Sequence, residues 1–87
     1  MQDVQKEKYR KELGLLIKKI RLKQNKSISL ICAEIGMTKS MWADLEKGIK
    51  DPQLSTLMRM SEALNTKTSL ILNKLENKLG QEFSFIE

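Results

Sequence analysis

The side chains that could do chemistry in this chain lie close together, between residues 38 and 50. If a short helix here turns Trp42 and Leu45 inward, its opposite face carries Lys39, Ser40, Ala43, Asp44 and Lys47. Lysine can donate hydrogen bonds to O6 and N7 of guanine, aspartate can accept from N4 of cytosine, and serine can do either. The chemistry that these residue types support is recognition through hydrogen bonds and charge.

The composition excludes the usual catalytic and metal-binding sites. The chain has no histidine and one cysteine, Cys32, so it can form neither an ordinary zinc site nor an intrachain disulfide. No glycine-rich phosphate loop and no EF-hand spacing is present. We therefore expect a protein that is not an enzyme and needs no metal or cofactor, with Cys32 as a buried structural residue.

The charge distribution suits a polyanionic partner. The net charge is +5, and residues 1–50 hold twelve Lys or Arg against six acidic residues, whereas residues 51–87 hold four against five. Each phosphate that a protein neutralises releases condensed counterions. Charge alone leaves open the alternative of a solvated, lysine-rich helix surface. The charged N-terminus, the single cysteine and the lack of an apolar run of about 18 residues predict a cytoplasmic protein without a membrane span.

The elements that must hold these side chains are all helical. Apolar residues recur three or four apart, the only proline is Pro52, and no stretch alternates as a half-buried strand would. The spacing predicts helices over 4–24, 28–36, 39–47 and 54–64, and a fifth that Thr66 caps and Gly80 ends. Gly14 interrupts the first helix pattern. The apolar tail 81–87 is expected to pair as a short strand or to pack on a partner.

Two of these helices are predicted to meet across a tight turn. Ser27 and Thr38 are suitable N-cap residues for the second and third helices, and Gly36 is suited to a left-handed helix end. A short helix can enter the major groove of DNA, about 12 Å wide, only if another helix supports its back. The small Cys32 fits between such helices.

The whole pattern resembles the Cro and phage-repressor-like helix-turn-helix family, also called the XRE family, over residues 13–66. The resemblance implies an all-α, five-helix, lambda-repressor-like DNA-binding domain in which helices 2 and 3 form the helix-turn-helix. Residues 1–12 then extend helix 1, and residues 67–87 form the fifth helix and tail. The matching residues are Leu13, Gly14, Ile17, Ile20, Arg21, Ile31, Cys32, Ile35, Gly36, Thr38, Trp42, Leu45, Glu46, Lys47, Gly48, Pro52, Gln53, Leu54, Leu57, Ala63 and Leu64.

The resemblance also implies roles for single residues. Lys39, Ser40 and Asp44 correspond to base-reading positions, although an ion pair between Asp44 and Lys47 is an equal alternative. Arg21 and Glu46 correspond to a structural ion pair between helices 1 and 3. Ile28 replaces the family's usual glutamine, which predicts weaker or differently placed backbone contacts. The residues expected to contact the DNA backbone are Lys26, Ser27, Ser29, Thr38, Lys47 and Lys50, and the first-helix lysines Lys18, Lys19 and Lys23 are further candidates.

The expected function is that of a sequence-specific, repressor-like transcriptional regulator that binds a palindromic operator as a homodimer. The fifth helix and tail offer more apolar surface than one helix needs, which predicts a dimer contact there, unless this segment simply closes the core. The alternative is a protein of the same fold that acts chiefly through a protein partner, such as an antitoxin. The expected dimer residues are Leu72, Leu75, Leu79, Phe83 and Phe85.

Overall fold

The chain folds into five α-helices in the computed structural model, which describes residues 2–86. The helices are α1 (Gln2–Lys23), α2 (Ile28–Ile35), α3 (Lys39–Glu46), α4 (Leu54–Ala63) and α5 (Thr68–Leu79). Within residues 2–86 the structure contains no strand. The predicted all-α, five-helix fold is confirmed, and each predicted helix end lies within about two residues of the observed one.

Gly14 does not interrupt α1, which is continuous past it. A Cβ atom at this position would lie 2.6 Å from the carbonyl oxygen of Leu45 and 2.8 Å from the carbonyl carbon of Glu46. Real Cβ atoms do not come this close to backbone, so only glycine lets α1 touch the end of α3. The residue that weakened the helix pattern is thus required by helix packing.

The caps between the short helices form as predicted. The Leu30 amide donates to Ser27 Oγ at 3.0 Å, and the Met41 amide donates to Thr38 Oγ1 at 3.2 Å. Gly36 has φ of +66° and ends α2 in the left-handed conformation, so α2 and α3 are separated by residues 36–38 only. Gly36 and Thr38 therefore set the tight turn of the helix-turn-helix, and Ser27 sets the start of its first helix.

The predicted cap of the fifth helix is wrong. Lys67 occupies the N-cap position of α5 without a side-chain hydrogen bond, and the Thr66 hydroxyl instead donates to the Leu64 carbonyl at 3.2 Å. Thr66 lies one residue before the N-cap position, and its hydroxyl is turned toward the end of α4.

One apolar core joins the five helices. Helix α1 packs on α3 and α5, α2 packs on α3 and α4, and α4 packs on α5. Leu75, which we expected at a dimer contact, is only 4% exposed and belongs to this core. The correction follows from its position four residues after the fully buried Ile71, on the face of α5 that packs inward. Its side chain has too little free surface to contact a second copy.

The apolar tail forms no strand and folds back on α1. The rings of Phe83 and Phe85 pack edge to face with centroids 4.9 Å apart, and Phe85 packs in the same way on Tyr9 at 5.7 Å. The ammonium of Lys8 lies 5.8 Å from the centre of the Phe83 ring. Part of the surface of both phenylalanine rings is therefore covered by contacts within the chain, while Ile86 remains 84% exposed.

The helices are too short or too polar to cross a bilayer. In the part of the chain that the structure describes, no helix has both the length and the hydropathy that a membrane span requires.

Candidate nucleic-acid interface

Helix α3 has one face in the core and one face in solvent. Trp42 is fully buried and Leu45 nearly so, whereas Lys39 and Ser40 are exposed and Asp44 is half-buried. The predicted division of this helix into an inward and an outward half is confirmed. The three side chains that we expect to read bases thus lie on the surface of one helix, at spacings of one, four and five residues.

Glu46, the last residue of α3, anchors the helix to α1. Arg21 Nε donates to Glu46 Oε2 at 2.6 Å and Arg21 Nη2 donates to Oε1 at 2.9 Å, in a bidentate pair that is almost completely buried. The hydrogen bond to Glu46 raises the pKa of Arg21 above its ordinary value. The ion pair implied by the family resemblance is present, with the fork geometry that arginine offers a carboxylate.

Trp42 adds a third hydrogen bond that we did not predict. Its indole Nε1 donates to Glu46 Oε2 at 2.6 Å. The spacing of four residues between Trp42 and Glu46 on one helix could have suggested this contact, because such residues are neighbours on a helix surface. The carboxylate therefore satisfies two buried donors from different helices and fixes the rotation of α3 about its axis.

The N-terminal part of α1 supports the loop after α3. Arg10 Nε donates to the Gly48 carbonyl at 3.2 Å, and a Cβ at Gly48, whose φ is +75°, would lie 2.8 Å from Lys11 Cα. Tyr9 Oη donates to Asp51 Oδ1 at 2.5 Å. These contacts could not be predicted from the sequence, since no local pattern links residues about forty positions apart. The loop that carries Lys50 is held in place by α1.

Cys32 is buried between the helices of the motif, as predicted. Its Sγ lies 3.7 Å from the carbonyl oxygen of Thr38 at the start of α3. Burial raises the pKa of the Cys32 thiol, with a further contribution from the charge of Glu46. A raised pKa keeps the sulfur in its less nucleophilic thiol form, so the residue serves as a small packing group.

Most of the residues expected to contact phosphate are exposed. Ser27 and Ser29 are exposed at the start of α2, and Thr38 is exposed at the start of α3. The Ser27 and Thr38 oxygens accept from backbone amides, which leaves their hydroxyl hydrogens available to donate. Lys47 and Lys50 are exposed at the other end of α3.

The structure does not support Lys26 as a contact to the DNA backbone. Its ammonium donates to the Ala63 carbonyl at 3.3 Å and lies 3.5 Å from a carboxylate oxygen of Glu34. Its own carbonyl accepts from Arg21 Nη1 at 2.8 Å. Because these bonds turn the side chain toward the end of α4, Lys26 joins α1, α2 and α4 and is not free to bind phosphate.

Asp44 has a carboxylate without a basic partner. Within residues 2–86 no lysine or arginine nitrogen lies within 4.0 Å of it, so the alternative pairing with Lys47 is not formed. A carboxylate close to phosphates is repelled unless it finds a donor. The arrangement leaves Asp44 able to accept a hydrogen bond from outside the chain.

Ile28 lies in an apolar groove between α1 and α3. Ile28, Leu15 and Ala43 line this groove, and lysine side chains border it. Lys11 is one of these lysines and was missed by the sequence analysis; its ammonium is 2.9 Å from a carboxylate oxygen of Glu7, which lowers the pKa of Glu7. The isoleucine that replaces the family's glutamine therefore has apolar neighbours of its own.

Comparison with known proteins identifies the family. A family model described as helix-turn-helix matches residues 17–72, which is more than half of the chain and includes α2, α3 and α4. No curated protein matches the chain. The matched range contains both halves of the Arg21 and Glu46 pair and the complete outward face of α3. The chain therefore belongs to the Cro and phage-repressor-like (XRE) helix-turn-helix family of DNA-binding proteins.

Proposed function

We propose that this protein is a sequence-specific transcriptional regulator of the repressor type, which binds double-stranded DNA with α3 in the major groove. The observation that carries the proposal is the outward face of α3, where Lys39, Ser40 and the unpaired Asp44 are accessible together. A free donor, a free acceptor and a hydroxyl on one short helix match the hydrogen-bonding groups that base edges present in that groove.

The flanking residues supply the contacts that position α3 on the duplex. The exposed N-termini of α2 and α3 carry free backbone amides beside Ser27 and Thr38, and such helix ends bind phosphate. Lys47 and Lys50 add charge at the C-terminal end of α3. These groups contact phosphates whatever the sequence, so they set affinity and register while Lys39, Ser40 and Asp44 set preference.

We propose that the protein acts as a homodimer on an inverted repeat. One helix-turn-helix makes few base contacts, and a dimer places two recognition helices about 34 Å apart, one turn of DNA. The proposed interface consists of Leu72 and Leu79 on α5 and the tail residues Phe83, Phe85 and Ile86. Leu72, Leu79 and Phe83 are half-buried, Phe85 is 43% exposed and Ile86 is more exposed still, so the tail retains apolar surface after packing on α1.

Selection of bound duplexes from a random pool tests this function. We expect enrichment of an inverted repeat whose half-sites are about 10 base pairs apart, centre to centre. The logarithm of the binding constant for the selected duplex should fall linearly and steeply with the logarithm of the salt concentration, because lysines displace counterions. A pool that shows no enrichment after repeated rounds at low salt would contradict sequence-specific binding.

A further inference from the structure

A groove between α1 and α5 forms a second candidate binding surface, which we name the α1–α5 groove. Its apolar floor consists of Leu16 and Ile20 from α1 and Leu70 and Ile71 from α5, and its volume is about 420 Å³. Leu70 is 46% exposed there, although it belongs to a helix that packs on the core. Leu16 and Ile71 are almost completely buried, so Ile20 and Leu70 supply most of the apolar surface that a ligand in the groove could contact.

Helix α5 runs back along α1, so the groove is long and open to solvent. Lys78, near the end of α5, lies beside Glu12 in the middle of α1, and Gln24, just after α1, donates to the Leu64 carbonyl just before α5, at 2.6 Å. The groove follows α1 from Leu16 to Lys23, which corresponds to about 10 Å or two helical turns. Its length suits a short helical segment.

The rim of the groove is basic. Lys19 and Lys23 from α1 and Lys74 and Lys78 from α5 line its two sides. Among the residues that the structure describes, only one of these four ammonium groups lies within 4.0 Å of a carboxylate, Lys78 at 3.9 Å from Glu12. The rim thus keeps most of its positive charge, and the lysine stems extend the apolar floor.

We propose that the α1–α5 groove binds an acidic amphipathic helix of a partner protein. Leu16 and Ile20 are four residues apart on α1, so the α1 side of the floor presents a ridge at the spacing of helix packing. A partner helix would insert leucine-type side chains at positions i, i+3 or i+4 and i+7. Glutamates or aspartates on its flanks would pair with the rim lysines.

Two other occupants of the groove are less suitable, a second copy of the chain and the tail of the chain itself. An identical groove on a second copy would bring lysines against lysines, which opposes a symmetric contact. The acidic and apolar tail of the chain is already packed on Tyr9 and Lys8, away from this groove. These observations favour a helix of a different protein that carries the opposite charge.

The proposed site is separate from the DNA-binding face. Gly14 and Arg21 face α3 from one side of α1, whereas Lys19 and Lys23 line the groove on another side. One molecule can thus hold a duplex and an acidic helix together. The inference does not depend on DNA binding, because the groove and its charge are present whatever α3 contacts.

A labelled peptide tests the proposal directly. The probe is a fluorescein-labelled peptide of about fifteen residues, with leucines on one helical face and glutamates on both flanks. We expect saturable binding by fluorescence anisotropy, and backbone amide shifts in residues 16–24 and 66–78 of the ¹⁵N-labelled protein. The double substitution Lys19→Glu and Lys74→Glu should weaken binding at least tenfold, whereas Lys6→Glu, a matched change of an exposed lysine elsewhere on α1, should leave it within twofold.

Other results would overturn the proposal. A shuffled peptide of the same composition that binds equally well would show that charge alone is recognised. Amide shifts confined to α3 would show that the peptide imitates DNA at the other face. If the double variant binds the peptide with wild-type affinity and has an unchanged melting temperature, the rim lysines do not contribute to binding. If the protein self-associates and Leu70→Asp abolishes that association, the occupant of the groove is a second copy of the chain.

Discussion

Arg21 of α1 and Glu46 of α3 form a bidentate ion pair whose side chains are 8% and 6% exposed. Trp42 donates to the same carboxylate, so Glu46 receives three hydrogen bonds from two helices. This arrangement links the core to the DNA-binding face, because it fixes the direction in which the outward residues of α3 point. The recognition surface therefore depends on a pair that touches no ligand.

Removal of the Glu46 carboxylate should destabilise the domain strongly. Glu46→Ala leaves Nε and Nη2 of the buried Arg21 and the Trp42 indole N–H without their acceptor, and we expect a loss of about 3–5 kcal/mol in the free energy of unfolding. Urea unfolding followed by tryptophan fluorescence measures this loss. The matched double variant Arg21→Met with Glu46→Leu should recover much of it, since it removes both charges. A single-variant loss below about 1 kcal/mol would show that the pair is not a determinant of stability.

Gly14→Ala should also lower stability, although alanine favours helices. The gain of about 0.5–1 kcal/mol in helix propensity is smaller than the cost of forcing α1 away from the Leu45 and Glu46 carbonyls, which we expect to be about 1–3 kcal/mol. Thermal unfolding followed by circular dichroism measures the net effect. Asn73→Ala, at an exposed position within α5, is the control and should not lower the melting temperature. A higher melting temperature for Gly14→Ala would contradict the packing argument.

Stability should depend on Tyr9 at alkaline pH. Burial, and then the hydrogen bond to Asp51, raise the pKa of Tyr9 above its ordinary value of 10.0. Because the folded state favours the neutral phenol, its contribution is complete below the unfolded pKa and is lost as pH rises through the folded pKa. We expect Tyr9→Phe to be less stable than the wild type by about 0.5–1.5 kcal/mol at pH 7, with the difference shrinking above pH 10. Urea unfolding between pH 7 and pH 11 tests this expectation; a difference independent of pH would contradict it.

The proposed dimer predicts a specific effect of the tail. Ile86→Asp should lower the dimer fraction without lowering stability, because the side chain is 84% exposed in the single chain. Sedimentation velocity at several protein concentrations measures the monomer–dimer balance. Gln81→Asp adds the same charge at an exposed position before the aromatic residues and should leave the balance unchanged. Equal dimer fractions for the wild type, Ile86→Asp and Gln81→Asp would show that the end of the tail is not part of the dimer interface.

The parts of the structure that could be predicted from sequence are those set by local spacing. Ser27 caps the start of α2, and Gly36 and Thr38 determine the turn between α2 and α3. Trp42 and Leu45 show the buried side of α3 by their separation. The family resemblance added the pair of Arg21 with Glu46. These features need no knowledge of how distant segments meet.

The features that could not be predicted depend on contacts between distant residues. Lys26 was expected at the DNA backbone, but its ammonium reaches a carbonyl thirty-seven positions later in the chain. The strand predicted as one alternative for the tail does not form, and Phe85 instead packs on Tyr9 at the other end of the sequence. Gly14 lowers the helix propensity of α1, and the local sequence does not show that the close approach of α3 requires a glycine there.

The central claim is that the outward face of α3 reads base sequence while the lysines around it bind phosphate. The most direct test is the ratio of affinities for selected and random duplexes, measured by fluorescence anisotropy for the wild type, Lys39→Ala and Lys50→Ala. We expect Lys39→Ala to reduce this ratio by roughly 5- to 100-fold, which corresponds to about 1–3 kcal/mol. Lys50→Ala should weaken both duplexes similarly and reduce the magnitude of the salt slope by about 1 for each bound subunit. Equal and weak binding of the wild-type protein to both duplexes at low salt would contradict the claim.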